Sequence, residues 1–357
     1  MANPYDELVG RVLKENINDA SGVLLVSKGT ALSRSHVNKL KNFKIEIEDI
    51  KCALSRELEE SQAAHKQSDQ PVVQFTTQDT RELINKTEVY LQDIDRIIQD
   101  QGAIPVSEIE EKLIPAITEA TNSRSLFGLL SELKEKEDYR YKQSIGVAVT
   151  ATKLGKQLRL NQHELKLLTT AATLYDMGSL KLPSSLINKP DKLTFHEQEI
   201  MKQHTVWGYD LIQNSDVDPR VALVALQHHE RENGSGYPNG LKGEQIDPLS
   251  KIVALADVYV AMISERPYRP PFPFYEVVQH IHNGIIQNIY DSQTGLTLLA
   301  SLMNGQLGCE VVLSNYQRGQ IVMVHPNYPT RPLIALSETE FLDLSKDKGI
   351  SIKEIVG

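Results

Sequence analysis

The apolar segment Val221-Ala-Leu-Val-Ala-Leu-Gln227 runs straight into His228-His229-Glu230. This junction constrains the fold more than any other feature of the chain. A helix of that composition is buried, and buried imidazoles need hydrogen-bond partners or a ligand. Asp176, His204 and Asp257 lie on either side of it, and the intervals from Asp176 to Asp257 through the three histidines are 28, 24, 1 and 28 residues. Each long interval is roughly one helix-loop-helix unit, so successive helices can direct these side chains into one bundle interior. Imidazole nitrogens bind Zn, Fe or Mn well, and a carboxylate binds or bridges such ions. Taken singly, each of the five is an ordinary polar residue, and spacing alone does not separate a ligand set from a satisfied polar core.

The rest of the chain supports a helical middle. From Thr77 to about Leu299 the pattern is helical; Leu83, Val89, Leu91, Ile94, Ile97 and Ile98, for example, recur at spacings that mostly suit one helix face. Ser107 and Glu110 have the spacing of a capping box. Helices are expected at about 125–136, 138–158, 162–176, 194–214, 218–229, 249–264 and 274–287. Residues 1–52 read as a small α+β domain. It has an apolar run at Gly22–Val26, a helix start at Ser33 and strand-like alternation over Ile45–Ile50. Residues 53–76 are polar and read as a linker. Residues 305–357 are rich in Val and Ile between turn residues, with strands expected near 309–314, 320–325 and 331–336. The expected class is mainly α, with a small α+β domain before the helices and a β-rich segment after them.

Composition excludes some functions. A net charge of −9 over 357 residues argues against general nucleic-acid binding, which needs a basic footprint. Cys52 and Cys309 are too few and too far apart for a disulfide framework, and fit a reducing cytoplasm. No apolar run approaches the ~20 residues of a membrane span, and the N-terminus lacks the pattern of a signal peptide. A cytoplasmic protein without a membrane partner is expected.

One longer pattern is more specific. HHERENGSGYPNGLKGEQIDPLSKIVALADVYVAMISERPYR resembles the HD-GYP family in its HHE, GxGYPxGLxG, AD and RPYR segments. The similarity extends back through Met201-Lys-Gln-His204 and Tyr175-Asp176-Met-Gly178, and covers roughly residues 137–300. It implies an HD-type helical bundle over 137–304, with 77–136 as a helical connecting region. It also implies hydrolysis of cyclic di-GMP at a centre of two or three divalent ions, often iron or manganese. Carried over by position, Asp176 is the bridging, catalytic aspartate. His204, His228 and His229 ligate one ion and Asp257 the other. Arg266 and Arg269 hold substrate phosphates, for which guanidinium forks are suited. Gly236, Tyr237 and Pro238 form a loop that shapes the site and can meet a protein partner.

The departures from the family pattern cluster. The histidine of the HD pair is Tyr175, an earlier histidine is Gln143, and a glutamate used by trinuclear members is Tyr139. A substrate-contacting lysine is Ser179, and an aspartate after the AD pair is Val260. Glutamine offers only a neutral amide, and tyrosine binds metal well only after losing a proton with an ordinary pKa of ~10. Tyr139 and Tyr175, if turned inward, would fill the volume of the missing ion. The resemblance therefore implies one divalent ion (Fe, Mn or Zn) or none. The expected function is a degenerate member of cyclic di-GMP signalling with little or no hydrolysis, acting as a nucleotide sensor or interaction module and compatible with a homodimer. The alternative is an active phosphodiesterase with an unusual single-metal site.

Overall fold

The computed structural model describes residues 77–121, 139–187, 189, 191–265 and 270–356, with the backbone alone at 77–84 and 139, and only scattered positions before residue 77. The helix expected at 125–136, Ser33 and nearly all of the expected linker lie outside the described residues. The chain divides into two units, Met1–Val73 and Gln74–Gly357.

In the first unit β1 (Val12–Leu13), β2 (Ile17–Asn18), β3 (Leu24–Val26) and β4 (Cys52–Ala53) are short. β1 pairs with β4 and β2 with β3, both antiparallel. Leu13, Ile17, Val26, Leu32, Leu40 and Ile50 belong to a core of this unit's own. Ile45 and Ile50, the ends of the expected alternating strand, are in no strand.

The second unit opens with α1 (Thr77–Gln101). The short α2 (Val106–Glu108) then runs through a π-helical turn, Ile109–Leu113, into α3 (Ile114–Ala120). The expected capping box does not form. Pro105 is the N-cap and makes no side-chain cap bond, while Ser107 already lies inside the helix. The bundle follows as α4 (Tyr139–Gln157), α5 (Gln162–Leu174), α6 (Ser184–Ile187), α7 (Phe195–Gln213), α8 (Pro219–Gln227), α9 (Pro248–Ile263), α10 (Phe274–Ile286) and α11 (Ser292–Asn304). Local chemistry starts these helices where the sequence suggests. Thr194 and Glu197 form a reciprocal capping box on α7. Asp218-Pro219 and Asp247-Pro248 each put a capping carboxylate before a proline that fits the first helical position. α4 packs on α5 and α9, α7 on α8, and α8 on α5.

Five antiparallel strands close the chain: β5 (Glu310–Leu313), β6 (Arg318–His325), β7 (Tyr328–Ala335), β8 (Phe341–Asp343) and β9 (Ile352–Val356), in spatial order β8-β7-β6-β5-β9. Val311, Leu313, Ile321, Ile334, Leu344 and Ile352 share one core with the helices, against which α10 and α11 pack.

Arg220 ties three elements together. It donates to Glu164 of α5 at 2.8 Å and to both oxygens of Asp247, the α9 cap, at 2.8 and 3.0 Å. Its side chain is 30% exposed, so solvent weakens these bonds. Arg220→Ala is expected to cost about 1–2 kcal/mol, a few degrees of melting temperature. Thermal denaturation checks this. Arg220→Lys should recover only part of the loss, because an ammonium cannot serve both carboxylates as a fork does. A melting temperature unchanged in Arg220→Ala would show the hub to be neutral.

Candidate metal centre

Three histidines meet where α7 crosses the end of α8. His204 sits within α7 and His228 caps the C-terminus of α8, with His229 next in the chain. Their ligand atoms all lie within 4.8 Å of one another. His204 Nδ1 lies 2.6 Å from the Met201 carbonyl, and His228 Nδ1 lies 2.9 Å from the Ala225 carbonyl. A carbonyl only accepts, so each Nδ1 carries the proton. The two Nε2 lone pairs then face each other at 3.2 Å. Two facing lone pairs repel unless a proton or a cation lies between them. The donor set thus fits one divalent ion, with backbone carbonyls fixing the tautomer of two ligands. Burial, and then the neighbouring imidazoles, hold His228 and His229 well below the usual histidine range, which keeps them neutral and ready to ligate.

Asp176 joins this group from the other side. It follows Tyr175 at the end of α5 and starts the 3₁₀ turn Met177–Lys181. Its Oδ1 lies 3.7 Å from His204 Nε2. The turn packs tightly against α7: a β-carbon at Gly178 would collide with the carbonyl of His204. Burial pushes the Asp176 carboxyl from 3.8 up to about 6, with His204 opposing and Asp257 adding to the rise. The metal-free fold therefore holds this proton more tightly than the unfolded chain. Stability falls as pH rises between about 4 and 6 and stays reduced above that. Full conversion of the shift gives about 3 kcal/mol, but the side chain is 27% exposed, so about 1–2 kcal/mol is expected. In chelator, Asp176→Asn should melt higher than the parent at pH 7.5, with the difference fading below pH ~4. Equal melting at both pH values would show that Asp176 carries no such strain.

Asp257 is engaged differently. The Tyr175 hydroxyl, almost fully buried, donates to Asp257 Oδ1 at 2.8 Å. Gln143 Nε2, from α4, donates to the same oxygen at 2.8 Å and to the Asp257 backbone carbonyl at 3.2 Å. Tyr175 also sets its ring edge-on to His228, with centroids 5.0 Å apart. Of the five residues singled out by sequence, the structure brings His204, His228, His229 and Asp176 together, and sets Asp257 beside them in a hydrogen-bonded knot of its own. Ser179 and Val260 are buried. Only the backbone of Tyr139 is described, and Arg266 and Arg269 lie outside the described residues.

The Gly236-Tyr237-Pro238 loop closes over the histidines. The Tyr237 ring stacks on His229 at 4.6 Å, and its amide donates to the His229 carbonyl at 3.2 Å. Glu230, buried, accepts from the Asn239 and Leu241 amides at 2.7 and 2.9 Å. Arg231 donates to the carbonyls of His228 and Glu230 at 3.1 and 2.8 Å. The sequence alone points to no role for Glu230, Arg231 or Arg140, which pairs with Asp95. For Glu230 and Arg231 the signal is their place beside two histidines; Arg140 has no such neighbour.

Residues 124–293 match the family model described as HD domain. This segment is an HD domain. With its HHE and Gly-Tyr-Pro segments it is of the HD-GYP type. The HD domain is 46% identical over 119 residues to the cyclic di-GMP phosphodiesterase response regulator RpfG of Xanthomonas campestris, covering 32% of this chain and 31% of that one. It is 36% identical over 160 residues to a cyclic di-GMP phosphodiesterase of Thermotoga maritima, covering 44% and 43%. The matches thus span less than half of these relatives. The solved structure of Bd1817, a HDG"Y"P protein from Bdellovibrio bacteriovorus, is similar over 82% of this chain and 93% of its own, with a TM-score of 0.48 and 17% identity. No helix among the described residues is long and apolar enough to cross a membrane.

Proposed function

We propose that this chain is a degenerate HD-GYP protein of cyclic di-GMP signalling that hydrolyses little or none of the nucleotide. It holds one divalent ion, iron, manganese or zinc, through His204, His228, His229 and Asp176. It keeps a nucleotide-binding face that includes Arg266 and Arg269, and reads nucleotide out through its Gly236-Tyr237-Pro238 loop or through protein contacts. The observation that carries this reading is the Asp257 carboxylate, one oxygen of which accepts hydrogen bonds from both Gln143 and Tyr175. Two neutral donors satisfy the charge that a second ion would otherwise meet. Phosphodiester hydrolysis at paired ions uses both to activate water and neutralise the phosphate. The cyclic di-GMP phosphodiesterases among its relatives supply the nucleotide.

A bound divalent ion supplies Lewis acidity and offsets phosphate charge. The chain's own residues orient that ion: the Met201 and Ala225 carbonyls fix two imidazoles, and Tyr237 covers the third. A second reading, an active single-metal phosphodiesterase, is favoured by the three converging imidazoles with Asp176 beside them. Turnover of cyclic di-GMP separates the two. Protein purified anaerobically and loaded with manganese or ferrous iron is run beside His228→Ala, and products are resolved by chromatography. The degenerate reading expects little or no product from the parent, at the level of the variant. Product from the parent and none from the variant would overturn it and establish the second reading.

A further inference from the structure

One oxygen of Asp257 is occupied and the other is open. Oδ1 accepts from the Tyr175 hydroxyl and from Gln143 Nε2, both at 2.8 Å, and Gln143 also holds the Asp257 backbone carbonyl at 3.2 Å. Two donors fill the two lone pairs of that oxygen and fix the rotation of the carboxylate. Oδ2 meets no donor among the described residues, and it is not sealed from solvent. Tyr175 also lies edge-on to His228, with centroids 5.0 Å apart, so this rigidly held acceptor stands beside the histidines. What it can receive follows from its surroundings. Asp176 follows Tyr175 directly in the chain and adds a second carboxyl, while Gln143, Tyr175 and Ser179 bring no positive charge. A phosphate set against Oδ2 would be repelled. A ribose hydroxyl sits on the same sugar as the phosphate and would bring it close. The base edge is the part of a cyclic dinucleotide that carries N–H donors without charge, away from the phosphates.

We propose that Asp257 reads the base of the bound nucleotide: its open oxygen accepts from the N1–H and the N2 amino group of guanine, and so selects guanine over adenine. The proposal rests on the nucleotide-binding reading above. Guanine presents two adjacent N–H donors on its Watson–Crick edge, whereas adenine presents an N1 lone pair beside its amino group. A carboxylate oxygen bonds the first edge and repels the lone pair of the second. Tyr175 and Gln143 are then positioning residues. They occupy one oxygen so that the other is aimed and unshared, and the position that the family uses for a metal becomes one that reads a base.

Manganese-loaded protein, parent and Asp257→Asn, is titrated by calorimetry with cyclic di-GMP and with cyclic di-AMP. Asparagine keeps an oxygen for Tyr175 and Gln143, so its amide nitrogen takes the place of Oδ2 and turns an acceptor into a donor. The parent should bind cyclic di-GMP at least about tenfold more tightly than cyclic di-AMP, as expected for a charge-assisted bond made to one base and not the other. In Asp257→Asn that ratio should fall about tenfold or more, with guanine binding weakened and adenine binding strengthened. A merely structural role would weaken both nucleotides alike. Metal content should stay the same in the two proteins, because Asp257 ligates nothing. A ratio in the folded variant within twofold of the parent's, or a variant that loses its metal, would overturn the role of Asp257 and leave the nucleotide reading standing. Should the variant fail to fold, the parent decides with cyclic di-IMP, which lacks the N2 amino group and should bind several-fold more weakly than cyclic di-GMP; equal binding would overturn the role. If the parent binds none of these nucleotides, both readings fall together.

Discussion

His228→Ala should emerge from anaerobic loading and gel filtration with less than about a tenth of an ion per chain, against about one in the parent, when measured by elemental analysis. The alanine removes one of two Nε2 atoms that face each other at 3.2 Å. It also removes the imidazole whose orientation the Ala225 carbonyl fixes. Loss even of an outer partner of a ligand costs ten- to a hundredfold in metal affinity, so loss of the ligand itself should cost more than about a hundredfold. His204→Ala should behave alike. Near-ultraviolet circular dichroism distinguishes lost metal from lost packing, since His228 is buried among the core side chains. Metal content unchanged in a folded variant would refute the assignment of the three histidines.

The second large effect runs the other way. Gln143→His together with Tyr175→His should raise the stoichiometry from about one ion toward two. The double change removes both donors from Asp257 Oδ1 and puts two imidazoles in their place, which restores a carboxylate-and-histidine set that divalent ions favour. Either single change leaves one neutral donor on the carboxylate and should stay near one ion. Cyclic di-GMP turnover should rise by about two orders of magnitude or more in the double variant, since a second ion adds phosphate neutralisation and water activation. It should remain below that of a complete centre, because Ser179 and Val260 stay unchanged. A stoichiometry fixed at one in a folded double variant would show that these helix positions do not face a second ion.

Much of this architecture was legible in the chain. α4, α5 and α7 to α10 follow apolar periodicity, and cap residues such as Thr194, Asp218 and Asp247 mark where three of them start; α6, only four residues long, carries no such pattern. The convergence of His204 and His228 was legible for the same reason, since helix-length intervals bring helices back to one interior. Other parts were not. The Gln143 bond to Asp257 spans 114 residues, and no local pattern states which donor a carboxylate will find. β8 is three residues long, Phe341–Asp343, too short to show alternation. α11 contains Gly295 and lies only partly within the helical pattern that ends near Leu299, so no separate helix is expected there. Ser107 and Glu110 have the spacing of a capping box, but Pro105 sets where the helix begins and leaves Ser107 inside it. The Arg140–Asp95 pair joins α1 to α4, a contact decided by packing rather than by either helix's own sequence.

The loop at Gly236–Pro238 and the histidines are mechanically one piece. Glu230 grips the loop through the Asn239 and Leu241 amides. It is one peptide unit from His229, whose carbonyl takes the Tyr237 amide and whose ring lies under the Tyr237 ring. A β-carbon at Gly236 would strike the backbone at His229 and Glu230, so there is no slack between the two strands of chain. A force applied at the loop tip would thus reach the imidazoles through a lever only a few bonds long. Strain from an ion drawing His229 inward would arrive at the loop surface by the same short path.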